Sequence, residues 1–175
     1  MQLIQPFPYH IDRNCFGAWL SGFTDGEGHF SVSIHEDKRS KRSTPRTSFV
    51  ITLRSDDATV LHLIQSYWQC GRVQNLRNYK SESNGKPQTR YEVNRIDHLM
   101  NFVVPHFLKY PLYAKKANDF ALWAEAVEFQ HSRSFREKPH DSNGQWFAST
   151  WTIEEIAHIN MLSQLIREQR RFTVA

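Results

Sequence analysis

An acidic residue between two glycines, Gly26-Glu27-Gly28, closes an apolar segment near the start of this 175-residue chain. Glycines at such a place favour the end of a helix and leave backbone carbonyls accessible. The Glu27 carboxylate would then lie at the base of a helix. If the ends of two such helices met, the paired carboxylates would bind Mg²⁺, which prefers carboxylates, waters and phosphate oxygens. Two-metal hydrolysis of a phosphodiester needs that arrangement.

The segment before Glu27 has the periodicity of an amphipathic helix. We predict that this helix begins near Asn14, a good N-cap residue. Helical spacing predicts that four apolar residues face the core of the chain; they are Phe16, Trp19, Leu20 and Phe23.

Small residues recur along one face of the same helix. Ala18, Gly22 and Gly26 are four apart, a spacing that lets a second helix approach closely. A glycine inside a helix costs about 1 kcal/mol relative to alanine, and a close helix partner would account for Gly22. The string Leu20–Gly28 has no internal repeat, so the partner must be a second copy. The predicted homodimer interface comprises Ala18, Ser21, Gly22, Asp25 and Gly26.

The rest of the chain predicts an α+β fold in the order αββαββα followed by C-terminal helices. Strands are expected at residues 29–35, 46–53, 72–78 and 89–95, because apolar and polar residues alternate there. A helix from Ser55 ends at Gly71, a short one covers 97–107 and a long one 112–130. Residues 131–149 are expected to form a loop, and Thr152-Ile153-Glu154-Glu155 is a capping box for a last helix. We expect a single domain over residues 1–175, with the motif helix at about 14–28 and a C-terminal helical extension at about 131–175.

Positive charge is concentrated in the middle of the chain. The net charge is +4, but residues 38–95 hold 12 Lys/Arg against 4 Asp/Glu, the pattern of a nucleic-acid-binding surface. No apolar run is long enough to span a membrane, and the N-terminus has no signal-peptide pattern. We interpret Cys15 and Cys70 as reduced core thiols of an intracellular protein with no membrane partner.

The string Leu20-Ser21-Gly22-Phe23-Thr24-Asp25-Gly26-Glu27-Gly28 resembles the motif of the LAGLIDADG homing endonucleases, in their single-motif homodimeric branch. A second segment, Tyr110–Phe120, is similar to the family's proline-leucine, lysine-lysine, acid-aromatic segment. The resemblance implies an antiparallel, saddle-shaped sheet and double-strand cleavage of DNA at a long pseudo-palindromic site. It also implies metal-assisted hydrolysis across the minor groove that leaves short 3′ overhangs.

Carried onto this chain, the resemblance makes Glu27 and the carbonyl of Gly26 the ligands of Mg²⁺ or Mn²⁺, with Ca²⁺ as a non-cleaving substitute. Asp25 would be structural. Lys116 is the first candidate for the basic residue near the metal, and Lys115 is the second. Where some relatives place a water-ordering polar group, this chain has Leu53, so the adjacent Arg54 is a weaker catalytic candidate.

DNA recognition is expected from the sheet, because two-stranded ribbons fit a major groove. Alternation predicts the outward residues Ser31, Ser33, His35, Arg46, Ser48, Val50, Thr52, Arg72, Gln74, Leu76, Arg90, Glu92 and Asn94. Arg and Gln suit guanine and adenine, and Glu92 could accept from cytosine. Loop residues expected to contact phosphates are Lys38, Arg39, Lys41, Arg42, Lys80 and Lys86.

Three alternatives remain open. Asp25 with Glu36-Asp37-Lys38 loosely mimics the acidic-lysine pattern of restriction-type nucleases. The same fold could serve an intron maturase that binds intron RNA, or a catalytically silent DNA-binding regulator. The nine histidines could suggest a zinc module, but they are scattered and lack a matching cysteine pair.

Overall fold

The structure is a computed structural model, and it describes residues 4–37, 39, 42–76, 87–134 and 151–171. Helix α1 covers Arg13–Glu27 and is followed by strands β1 (Gly28–Asp37) and β2 (Arg42–Arg54). A 3₁₀ turn, Ser55–Asp57, leads into α2 (Ala58–Trp68), and strands β3 (Arg72–Asn75) and β4 (Gln88–Val93) follow. The remaining helical segments are α3 (Ile96–His98), a π-helical stretch (Leu99–Val103), α4 (Val104–Lys109), α5 (Lys116–Ser134) and α6 (Ile153–Gln169).

The four strands form one sheet in the order β1-β2-β4-β3. Strand β4 pairs antiparallel with both of its neighbours, so Val50 and Arg72 both lie opposite Glu92, and Thr52 and Gln74 both lie opposite Arg90. Directly opposed residues share a face of the sheet, which fixes the register that alternation alone could not. The predicted α+β order is confirmed.

The described residues divide into two compact units. The first draws on Met1–Phe30 and Ser48–Ala117, and the second on Ser31–Thr47 and Asn118–Ala175. The core of the first unit is aromatic: Phe30, Phe49 and Phe107 contact one another with ring centroids 5.4–5.7 Å apart. Buried Leu20 brings α1 into this core.

In the second unit, helices α5 and α6 supply buried apolar residues and are linked by ion pairs. Trp123, Val127, Ile159 and Leu162 are buried. Arg133 Nε donates to Glu155 at 2.9 Å, and the other pair joins Arg170 to Asp119 at 2.7 Å. Thr152 and Glu155 form the predicted capping box at the start of α6.

Several helix ends differ from the prediction. Asp12, not Asn14, caps α1 and accepts from the Cys15 amide at 2.7 Å; both side chains can cap a helix, and local sequence does not choose between them. The third strand ends at Asn75, and the predicted residues 77 and 78 lie outside the described part. Helix α5 begins at Lys116 instead of Leu112 and continues to Ser134, so 131–134 are helical. The rest of the predicted loop, residues 135–149, lies outside the described residues.

Two predicted core residues of α1 are exposed. Cys15 is exposed, in contrast to buried Cys70, and Trp19 is 43% exposed. The prediction of two core thiols is therefore wrong for Cys15. Periodicity detects an apolar face but does not distinguish a core from a surface that a partner could cover.

Candidate nuclease site

The motif helix ends where the sequence predicted. The amide of Gly28 donates to the carbonyl of Thr24, and the backbone then continues extended into β1. Thr24 packs against Gly28 so closely that a Cβ on Gly28 would overlap its side chain. Glu27 is left as an exposed carboxylate on the last residue of the helix.

Lys116 returns to this helix end from the start of α5. Its Nζ donates to the carbonyl of Thr24 at 2.9 Å and to that of Gly26 at 3.2 Å. Carbonyls at a helix C-terminus carry partial negative charge, which a lysine stabilises. The structure thus brings together three predicted residues, Gly26, Glu27 and Lys116. Lys115 is exposed.

Asp25 positions the segment that carries Lys116. Its Oδ2 accepts from the amide of Tyr113 at 3.0 Å and from that of Ala114 at 3.3 Å. Among the described residues, Oδ1 of Asp25 is buried without a hydrogen-bond partner. Asp25 therefore binds the loop before α5 of its own chain, which is a structural contact.

One face of α1 contacts residues 106–114 of its own chain. The hydroxyl of Ser21 donates to the Tyr110 carbonyl at 2.6 Å, and the Tyr110 hydroxyl donates to Asn14 at 2.7 Å. A Cβ on Gly17 would lie 2.5 Å from the Tyr110 ring. Ser21 is buried, so its side chain is not on the surface that a second copy could contact.

The adjacent face of α1 is open. Ala18, Gly22 and Gly26 are exposed together with Cys15 and Trp19. A Cβ built on Gly22 or on Gly26 meets nothing within 4 Å. Neither glycine is therefore required by packing within the single chain. We call this surface, made of Cys15, Ala18, Trp19, Gly22 and Gly26, the open helix face.

His106, which lies close to Ser21 of α1, is buried among aromatic rings. Its Nε2 lies 3.4 Å from the Ser21 hydroxyl oxygen, and its ring contacts Trp68 at 5.2 Å and Tyr110 at 5.2 Å between centroids. Burial is the main cause that lowers the pKa of His106 to about 4. This histidine is therefore neutral at pH 7. No local pattern in the sequence predicts the contact of His106 with the motif, because 85 residues separate it from Ser21.

In the first unit, the predicted outward residues of the sheet lie opposite the core. Thr89, Tyr91 and Val93 of β4 are buried, while Arg90 and Glu92 between them are partly exposed. The partly exposed or exposed predicted residues here are Ser48, Val50, Thr52, Arg72, Gln74, Leu76 and Asn94. Arg72 forms an ion pair with Glu92 at 3.3 Å.

In the second unit, Ser31 and Ser33 flank buried Val32, and His35 is exposed. Arg39, Arg42 and Arg46 are also exposed. The predicted phosphate contacts Lys38, Lys41, Lys80 and Lys86 lie outside the described residues.

Arg54 is exposed at the end of β2 and paired with Asp56, on the 3₁₀ turn next to it. The neighbouring Leu53 lies opposite Thr89. Its carboxylate partner gives Arg54 a local structural role, and no described contact joins it to Glu27.

Within the described residues, no group of three or more His, Cys, Asp or Glu side chains is arranged to hold a metal ion. The predicted metal ligands do not form such a cluster, since each chain would supply only the carboxylate of Glu27 and the carbonyl of Gly26. No helix in the part of the chain that the structure describes is both long and apolar enough to cross a membrane.

An αββαββα core with an acid at the base of its first helix defines a LAGLIDADG-type protein. The model of the LAGLIDADG endonuclease family matches residues 20–127, which includes the motif, the sheet and most of α5. The chain belongs to the LAGLIDADG endonuclease family.

Relatives and solved structures agree with this membership. The chain is 32% identical over 111 residues to a probable intron-encoded endonuclease 2 of Neurospora crassa, covering 63% of this chain and 23% of the relative. It is 28% identical to the homing endonuclease I-ApeII of Aeropyrum pernix, covering 67% of this chain and 65% of that protein. The chain therefore spans about a quarter of the Neurospora relative's length.

Two solved structures share the fold. The LAGLIDADG homing endonuclease I-SmaMI, solved bound to cleaved DNA, superposes with a TM-score of 0.68 at 20% identity, covering 89% of this chain and 45% of that one. The homing endonuclease I-TnaI superposes with a TM-score of 0.64 at 19% identity, covering 91% of this chain and 95% of that one. The LAGLIDADG fold prediction is confirmed.

Proposed function

We propose that this chain is one subunit of a homodimeric, site-specific DNA endonuclease that hydrolyses both strands of its target with divalent metal ions. One observation carries the proposal. The exposed carboxylate of Glu27 lies at the end of α1 beside an open helix face of small residues. Pairing two copies through that face brings two Glu27 carboxylates together at one scissile site.

The atoms at the helix end fit a hard divalent cation. Mg²⁺ and Mn²⁺ prefer oxygen ligands, and Glu27 supplies an ionisable carboxylate. The Gly26 carbonyl already attracts a positive charge, the ammonium of Lys116 at 3.2 Å. When bound, the metal would supply Lewis-acid stabilisation of the charge that develops on the scissile phosphate.

The basic residue Lys116 supports the same chemistry from its own position. It holds the carbonyls of Thr24 and Gly26 and so fixes the helix end that presents Glu27. Its positive charge beside the phosphate would also stabilise the transition state electrostatically. Lys115 and Arg54 are the lesser candidates, because Lys115 is exposed and Arg54 is paired with Asp56.

The homodimer is supported by the open helix face. Gly22 lies in the interior of α1 with open space around it, where a glycine costs about 1 kcal/mol of helix stability relative to alanine. A second helix against Ala18, Gly22 and Gly26 explains that cost. A symmetric dimer of this kind would read two related half-sites, so the target is pseudo-palindromic.

DNA is the proposed substrate, read by the outward residues of the sheet. The basic middle of the sequence supplies attraction to phosphates, and the polar residues of β2, β3 and β4 supply groups that can contact base edges. Solved LAGLIDADG relatives bound to DNA support this proposal. Relatives named intron-encoded endonucleases support an origin in an intron and a site of action inside the cell.

A cleavage assay tests this function. If the reading frame interrupts another gene, its flanks are joined into one uninterrupted duplex and incubated with the purified protein in Mg²⁺ or in EDTA. We expect double-strand cleavage at the junction by the wild type, and none in EDTA or with Glu27→Gln. Tight binding in Mg²⁺ without cleavage, or binding to the intron RNA instead, would contradict the proposal and favour a regulator or a maturase. Cleavage that survives Glu27→Gln but is lost with Glu36→Gln would favour a restriction-type site.

A further inference from the structure

Arg72 and Glu92 form an ion pair between neighbouring strands on the outward side of the sheet. They lie directly opposite each other in the β3–β4 register, and Nη2 of Arg72 is 3.3 Å from Oε2 of Glu92. The Arg72 side chain is 63% exposed and that of Glu92 is 19% exposed. The pair therefore presents a guanidinium to the solvent with a carboxylate oxygen beside it.

A carboxylate is an unexpected group on a surface that is proposed to face DNA. Phosphates repel it, and neutralising phosphates is the main source of nonspecific affinity. A cross-strand pair of opposite charges also contributes little to the stability of the fold, only about 0.2–1 kcal/mol. Neither general affinity nor stability accounts for Glu92, so a base contact is the remaining role for its acceptor oxygens.

The pair matches the major-groove edge of one particular base pair. Guanine presents two acceptors, N7 and O6, and the paired cytosine presents the N4 amino donor next to O6. The fork of Arg72 can donate to both guanine atoms, and Glu92 can accept from the cytosine amine. An A·T pair offers the fork only one acceptor on adenine and places the O4 acceptor of thymine at the far side.

We propose that Arg72 and Glu92 act as one unit that selects a single G·C pair in each half-site, with Arg72 on guanine and Glu92 on cytosine. This inference rests on the proposed DNA-binding function. Glu92 has two roles in this unit, because the same carboxylate restrains the Arg72 guanidinium and contacts the cytosine amine. Loss of either partner therefore removes the same preference.

The neighbouring row of the sheet supplies a matched control. Gln74 lies two residues along β3 from Arg72 and opposite Arg90. It lies on the same strand and the same face as Arg72, but its partner across the strands is Arg90 and not Glu92. Gln74→Ala should therefore alter a different base pair from the one that Arg72 and Glu92 read.

The experiment measures binding to the junction duplex and to every single base-pair substitution of it, in Ca²⁺ so that cleavage does not intervene. The proteins are the wild type, Arg72→Ala, Glu92→Ala, the double variant and Gln74→Ala, with Glu92→Gln as a size-conserving variant. Wild type should prefer G·C at one position of each half-site by about 5- to 150-fold, the range for a good bidentate contact. Arg72→Ala and Glu92→Ala should each remove that preference, the double variant should remove no more, and Gln74→Ala should retain it.

Preferences lost at two different positions, a preference for A·T, or an unchanged profile in Glu92→Ala would each overturn the inference. Failure of the wild type to bind any duplex specifically would instead overturn the proposed function, and the inference with it. The two failures are therefore distinguishable, since the first requires specific binding by the wild type.

Discussion

The ammonium of Lys116 donates to the carbonyl of Gly26 at 3.2 Å, one residue before Glu27. Ninety residues separate the two in sequence, so the fold and not local spacing makes this contact. It joins the start of α5 to the end of the motif helix and places a positive charge next to the proposed metal ligands.

Replacing Lys116 with methionine should reduce cleavage by roughly 100-fold or more, in the range seen when a preorganised electrostatic stabiliser is removed. The loss should appear in kcat, with DNA affinity in Ca²⁺ changed far less. Single-turnover cleavage and duplex binding measure the two quantities. Lys115→Met is the control, because Lys115 is exposed and should retain cleavage within a few-fold. Equal losses in both variants would contradict the role of Lys116.

Asp25→Ala should destabilise the chain and reduce cleavage together. The two amides that Asp25 Oδ2 accepts from, those of Tyr113 and Ala114, would lose a charged acceptor, which costs about 1–3 kcal/mol. Urea unfolding measures this loss, and Asp25→Asn should recover part of it because its amide oxygen still accepts.

Glu27→Ala is the matched control for Asp25, since the exposed Glu27 side chain should change stability by no more than about 0.5 kcal/mol. A loss of stability as large as that of Asp25→Ala would show that Glu27 has an undetected structural role. Full cleavage by Asp25→Ala would show that activity does not require the hydrogen bonds of Asp25 to the loop before α5.

Gly22→Leu should leave the chain folded and abolish the dimer. Open space surrounds a Cβ at this position, so the single chain accommodates the side chain, while a close helix partner does not. Light scattering after size exclusion measures the molar mass, and circular dichroism checks folding. Gly17→Leu is the contrasting variant, because a Cβ there would meet the Tyr110 ring at 2.5 Å, and it should unfold the chain. A dimeric Gly22→Leu protein would contradict the proposed interface.

Stability should fall as the pH is lowered from about 6.5 to about 4. Burial lowers the pKa of His106 to about 4, so over this window the unfolded chain takes up a proton that the folded chain does not. Stability attributable to His106 is complete above the unfolded pKa and lost progressively below it, by on the order of 3 kcal/mol in all. Urea unfolding at several pH values measures the slope. His106→Gln should flatten it, and an unchanged slope would assign the acid sensitivity to other groups.

Sequence reasoning recovered the elements because their periodicity is local. The alternation in β4 and the capping box at Thr152 both lie within a few residues, and both were confirmed. The contacts that build the site are long-range, and no spacing rule predicts that Asp25 binds the Tyr113 amide or that His106 lies near Ser21. Helical spacing also does not predict that Trp19 and Cys15 are exposed, because exposed and buried apolar residues can follow the same spacing.

The central claim is that two chains each contribute Glu27 to one active site, and mixed dimers test it most directly. Wild-type and Glu27→Gln chains are co-refolded in a ratio of one to three, and the double-strand cleavage rate is compared with that of the undiluted wild type. If both carboxylates are needed, the rate should fall to about one-sixteenth, the random fraction of wild-type pairs in a symmetric dimer. A fall to only about one-quarter, as expected for chains that act singly, would contradict the account.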